Sequence, residues 1–115
     1  MLPAANRMRA AADFADTTRR GTKVARGSVV VYVAGAADST EPRVGLVVSK
    51  AVGNSVVRHR VSRRIRAAIR PVLPTLPAGS RLVVRALPGA GADVALARSI
   101  ADAVAAGLVR REGRP

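Results

Sequence analysis

VSKAVGNSVVRHRVSRRIRAAIR, residues 48–70, opens as the end of a β-branched strand, turns at Gly53-Asn54 and continues with helical periodicity. Glycine tolerates the positive φ of a tight turn, and an asparagine side chain can accept from the unpaired amides of a helix's first turn. Stepping ~100° per residue from Ser55 gathers Val57, Val61, Ile65, Ala68 and Ile69 on one arc. His59, Arg60, Arg63, Arg66 and Arg70 fall on the opposite arc, with Arg64 at its margin. Arg58 falls among the apolar residues, where its charge stays in water only if the side chain snorkels. Pro71 ends the helix, because it lacks an amide hydrogen and its ring collides with the preceding turn.

The polar arc of this helix holds no acid. From Lys50 through Arg58, Arg60, Arg63, Arg64 and Arg66 to Arg70 there is neither Asp nor Glu. A merely solvated helix face mixes signs, since like charges at i,i+4 cost ~0.2–0.5 kcal/mol each. A polyanion removes that repulsion, so the basic stripe reads as a nucleic-acid face.

The whole chain agrees with that reading. Its 115 residues carry 20 Lys/Arg against 7 Asp/Glu, a formal net charge of +13. That length suits one domain, 1–115, with no repeat or linker to divide it. A membrane-surface helix would want Trp, Phe or Leu on its apolar face, where this one has Val, Ile and Ala. No run approaches the ~18 apolar residues of a membrane span, and the first residues lack the apolar core of a secretory signal. Cytoplasmic location follows as the default expectation. With no cysteine and one histidine, there is no thiolate or histidine cluster for a metal.

Around the central stretch the chain reads α-β-β-(β)-α-β-α, with 22–26 as the weakest of the strands. Residues 6–18 form a short helix that docks through Met8, Ala11, Ala12 and Ala15 and carries the only phenylalanine, Phe14. Arg19-Arg20-Gly21 closes it, with cations at the negative end of the helix dipole and a glycine for a left-handed cap. Residues 22–26 are a lead-in strand, and 28–33 (SVVVYV) a second one carrying Tyr32. Residues 35–42 turn, and their acids Asp38 and Glu41 point to a position away from any polyanion. Residues 43–49 form the next strand, and the short connection predicts an antiparallel pair with 28–33. After the proline-rich loop 71–80 come a strand over 81–87, a turn at 88–92 and a last helix. Asp93 caps that helix, and Leu96, Ile100, Val104 and Leu108 bury one side of it. Residues 110–115 are expected as a disordered tail. The sum is an α+β fold, a small mixed sheet of about four strands packed with three helices.

Catalytic chemistry is missing from this inventory. Asp13, Asp16, Asp38, Glu41, Asp93, Asp102 and Glu112 are scattered over helix starts, turns and tail, so no carboxylate cluster holds a metal. Asp13 and Asp16 at i,i+3 read as helix charges near a positive dipole end. His59 has no carboxylate at a spacing that would orient it. PGAGA at 88–92 lacks the Lys-Ser/Thr of a phosphate loop. No residue is assigned a catalytic role, and the chain reads as a binder.

The central residues resemble the signature of the bacterial ribonuclease P protein subunit, approximately K-x-[IV]-G-N-A-V-x-R-N-R-x-K-R-x-x-R. Lys50, Val52-Gly53-Asn54, Val57-Arg58-His59-Arg60 and Arg63-Arg64 with Arg66 carry the match, supported by NR-x-R-x-x-x-DF at 6–14 and RVGLVVSK at 43–50. Ser55 replaces the usual alanine, Arg63 is read in place of the usual lysine, and His59 replaces the usual asparagine, which removes a side-chain amide. The resemblance implies a ribosomal-protein-like fold whose β-α-β crossover is left-handed, against the general right-handed rule. It implies a large catalytic RNA partner that uses Mg2+ itself, with precursor tRNA as substrate and neither membrane nor obligate protein partner. The protein would assist endonucleolytic removal of the 5′ leader and have no activity alone. RNA contacts would fall to Lys50, Asn54, Arg58, His59, Arg60, Arg63, Arg64, Arg66 and Arg70. A groove between the first helix and the sheet would take the leader, with Phe14 and Tyr32 as its aromatics. Thr18 stands where relatives often carry a second helix aromatic. The other readings are a ribosomal or rRNA-assembly protein with no part in cleavage, and a DNA-binding nucleoid protein, whose recognition helix would carry Asn, Gln or Ser for base edges beside its arginines.

Overall fold

The computed structural model describes residues 2–35 and 41–112. In chain order the elements are α1 (Ala11–Arg20), β1 (Thr22–Arg26), β2 (Val29–Gly35), β3 (Arg43–Val47), α2 (Ser55–Ile69), β4 (Ser80–Ala86) and α3 (Leu96–Glu112), with short 3-10 turns between. The strands form one mixed sheet in the order β1-β2-β4-β3. β2 is antiparallel to both β1 and β4, whereas β3 runs parallel to β4. The α+β class and the element count match the sequence reading.

The expected β2–β3 pair does not form, because β4 lies between them and hydrogen-bonds to both. α2 provides the crossover that parallel neighbours require, and this returns the chain into the gap that a hairpin would have closed. β2 and β4 thereby gain a strand neighbour on each side, and β3 takes an edge of the sheet.

Alternation along the strands divides the sheet into two faces. Val24, Val29, Val31, Val33, Val44, Leu82 and Val84 point to the main core. There they meet Val61, Ile65 and Ile69 of α2 and Leu96, Ile100 and Val104 of α3. Ile65 and Ile69 are 0% exposed, and each such side chain contributes about 1.5–3 kcal/mol by leaving water. The i+4 series of α3 buries as the periodicity demands, with Leu108 half-buried at its end.

The other face carries α1 and a smaller buried group of Met8, Val30, Ala34 and Val83. Two expectations for α1 fail here. The helix begins at Ala11, so Met8 docks from an extended segment whose amide donates to the Val44 carbonyl (2.9 Å), and Ala11, Ala12 and Ala15 are exposed. Strand-like pairing to the edge of β3 wins over helix at 7–9 because it places Met8 and Leu2 in the interior. Gly21 is extended (φ −71°, ψ 154°), since the chain passes straight into β1 and has no need of a left-handed cap. At the other terminus α3 continues through residues 110–112, which the sequence placed in the tail; 113–115 lie outside the described residues. Asp38 also lies outside them, and Glu41 is exposed.

Candidate nucleic-acid interface

α2 is built to present one face. Asn54 Oδ1 accepts from the Val57 amide (2.9 Å), fixing the first turn, and Gly53 before it has φ 154° and ψ −168°. The helix stops at Ile69, and Pro71 prevents another turn. With Val61, Ile65 and Ile69 buried, His59, Arg60, Arg63 and Arg70 are exposed and Arg66 is half-buried. Lys50 is exposed on the 3-10 turn that leads into the helix. The 15 residues extend this face over roughly 20 Å at 1.5 Å per residue.

Three of the sequence-assigned residues sit differently. Arg64 turns toward the loop before α3. Its Nη1 donates to the carbonyls of Ala90 (3.2 Å) and Gly91 (3.3 Å), and its Nη2 donates to that of Asp93. Its fork is engaged with backbone, so the residue fastens α2 to that loop. Arg58 is half-buried, as its place on the wheel foretold, and its Nε is buried without a partner. Asn54 uses its acceptor on the helix cap, which leaves its amide donors. Aligned from Lys50, the lysine place of the quoted signature falls at Ser62, and Arg63 falls on its arginine.

The N-terminal segment adds a residue that the sequence reading did not assign. Arg7 lines a groove of about 810 Å³ together with His59, Arg60, Arg63, Arg64 and Arg66. Its only sequence signal is the NR-x-R spacing, which does not reveal where the segment lies. The segment is held by Asn6 Nδ2 donating to the Pro42 carbonyl (2.8 Å), by the Met8 amide, and by Arg7 Nε donating to the Leu2 carbonyl (3.0 Å).

Phe14 and Tyr32 share the α1 face of the sheet. Tyr32 is in register with Val83 on β4, and Val83 with Gly45 on β3, so the three form one transverse row. The Phe14 ring sits over Gly45: a Cβ there would lie 2.5 Å from Phe14 Cζ. Gly45 is therefore a seat for the ring. The two aromatics stand about two strand spacings apart, ~10 Å. Both are half-buried, and Val83 beneath is fully covered. Thr18 is exposed one turn along α1, its hydroxyl donating to the Phe14 and Ala15 carbonyls.

Two of the acids are engaged with partners of their own. Asp16 pairs with Arg20 (2.6 Å) and Arg19 (3.4 Å), and the Arg20 hydrogen bond holds its carboxyl below the usual range. The Ser28 hydroxyl (2.5 Å) and the Ala95 amide (2.9 Å) do the same for Asp93. Among the described residues no group of three or more His, Cys, Asp or Glu could hold a metal ion, and no helix is long and apolar enough to cross a membrane. A further groove of about 1010 Å³ between α2 and α3 is walled mainly by Ala, Val and Leu, which offers a polyanion little.

Known proteins are similar over nearly all of this. The family description Ribonuclease P matches residues 2–105. A ribonuclease P protein component from Mycobacterium sp. (strain KMS) is 52% identical over 91 residues, 78% of this chain and 77% of that protein. One from Rhodococcus opacus (strain B4) is 43% identical over 116 residues, 96% of this chain and 91% of that protein. Among solved structures, the RNase P protein of Staphylococcus aureus superposes with a TM-score of 0.80 at 27% identity, covering 89% of this chain and 94% of that one.

Proposed function

The chain belongs to the ribonuclease P protein family, and on that premise we propose that it is the RNA-binding subunit of a tRNA-processing ribonucleoprotein. In this family the protein acts in tRNA 5′ processing together with an RNA subunit, which does not favour a purely scaffolding role in the ribosome. The finer reading is that the RNA subunit performs the cleavage with its own Mg2+ and that the substrate is precursor tRNA. The single 1–115 domain supplies α2 as a phosphate-binding face and the α1 side of the sheet as a channel for the 5′ leader. The observation that carries this is the juxtaposition of an acid-free guanidinium face with an aromatic-bearing sheet groove on one small body. Phosphate contacts then give affinity, and stacking gives preference for single-stranded RNA.

The direct test is reconstitution. RNA-free protein alone is expected to leave precursor tRNA intact; with the cognate RNA subunit at low Mg2+ it should restore 5′ maturation. Cleavage by the protein alone would refute the division of labour, and failure to stimulate the RNA would refute the role.

The leader channel makes a separate prediction. Phe14→Ala in the holoenzyme should weaken precursor binding by about 5- to 150-fold more than mature tRNA binding, the equivalent of one base stack of ~1–3 kcal/mol. Thr18→Phe should tighten precursor selectively. If Phe14 only seals Gly45 and Val83, the alanine variant lowers the melting temperature while the precursor-to-mature affinity ratio stays put.

A further inference from the structure

We propose that Arg7 and Arg66 together hold a phosphate of single-stranded RNA at the point where the α1 groove opens onto α2. The inference rests on the reading above and extends it to a residue outside the signature helix. Arg7 and Arg66 line the 810 Å³ groove on the α2 side. The same two residues line a second groove of about 280 Å³, whose walls include Met8, Arg9, Phe14 and Leu46. They are the residues common to both, so they form the sill between the helix face and the sheet groove.

Three features identify what this sill fits. Arg7 and Arg66 are both half-buried, and among the described residues no acid lines either groove. Like-charged guanidinium groups brought together and partly desolvated without a carboxylate are stabilised by an anion shared between them. Arg7 is also held in place: its Nε is engaged with the Leu2 carbonyl, which leaves the terminal NH2 groups of its fork to donate elsewhere. The second groove sets the half-exposed Phe14 and Leu46, backed by the buried Met8 and Val44, beside a guanidinium rim. Apolar surface for a base beside cations for its phosphate is the arrangement of a single-strand path, whereas a duplex keeps its bases stacked inside.

The experiment measures holoenzyme affinity for precursor and for mature tRNA over a salt series, with Arg7→Gln, Arg7→Lys, Arg66→Gln and the double variant Arg7→Gln/Arg66→Gln. Glutamine keeps a donor for the Leu2 carbonyl, and each variant's melting temperature is recorded so that binding is compared between folded proteins. Arg7→Gln should reduce the log K versus log salt slope for precursor by about 0.7, the value for one single-strand phosphate. It should change the slope for mature tRNA much less, and Arg7→Lys should retain most of the wild-type slope. The double variant should cost less than the sum of the single ones, since both lose the same phosphate. An unchanged precursor slope in Arg7→Gln, strictly additive effects, or equal losses for precursor and mature tRNA (the signature of a contact to structured RNA) would each overturn the proposal. The parent reading fails separately, if Arg60→Ala and Arg63→Ala leave RNA binding untouched.

Discussion

Replacing Arg60, Arg63 and Arg66 together by alanine is expected to lower affinity for the RNA subunit by roughly 10²–10³-fold near physiological salt and to reduce the salt slope by about 2–3 units. Arg60 and Arg63 are exposed and Arg66 half-buried, all on the side of α2 opposite Val57, Val61 and Ile65. Each side chain is thus available to a phosphate and remote from the core. Released counterions make the effect steepest at low salt, and a set of uncharged variants should converge with wild type as salt rises. Folding should survive. Alanine is the best helix former, and the substitution removes the i,i+3 repulsion between Arg60 and Arg63 and between Arg63 and Arg66. Salt-dependent binding and thermal melts on one preparation decide the matter: full affinity with an unchanged slope would mean that the face is only solvated. Arg64→Ala serves as the contrast. Its guanidinium is bonded to the carbonyls of Ala90, Gly91 and Asp93, so it should lower the melting temperature with little change in slope.

Gly53→Val is expected to destabilise the fold by about 3–5 kcal/mol, a large share of the stability of a domain this size. Two causes add. At φ 154° and ψ −168° the residue occupies a region that side-chain-bearing residues rarely enter, and a Cβ built there lies 2.9 Å from both Cβ and Cγ1 of Val57. Both penalties arise at the first side-chain atom, so Gly53→Ala should already show most of the loss. Losing the neighbouring cap, as in Asn54→Ala, should cost only about 1 kcal/mol. Gly89 also has positive φ, but nothing lies within 4 Å of its Cβ position, so Gly89→Ala should be the milder change. Chemical denaturation of the four variants orders these effects, and a Gly53→Val midpoint equal to wild type would refute the account. Function enters through geometry, because Gly53 and Asn54 set the angle at which the arginine face leaves the sheet.

Much of this was legible in the chain because its causes are local. The Asn54 cap, the Pro71 stop and the apolar arc of α2 are decided within a few residues, so α2 begins and ends where its sequence says. The acid-free charge of that helix is likewise a property of composition, and so is the spacing of the signature shared with the ribonuclease P proteins. The choice of strand neighbours was not legible. Chain proximity argues for β2 beside β3, whereas the sheet places β4 between them; the deciding energy lies in pairings and packing between residues far apart in sequence. The same holds residue by residue at the interface. Arg63 and Arg64 are adjacent and chemically identical, but one helical step of ~100° turns Arg64 to carbonyls 26 to 29 residues away. Arg7 meets α2 only because Met8 and Asn6 are tied to the segment before and within β3. Gly45 looks like a weak point in a strand until the Phe14 ring is seen lying on it. The sequence alone determined what kind of surface this protein carries and which helix presents it. Tertiary packing decided which arginines remain free to bind, because that depends on contacts no local pattern encodes.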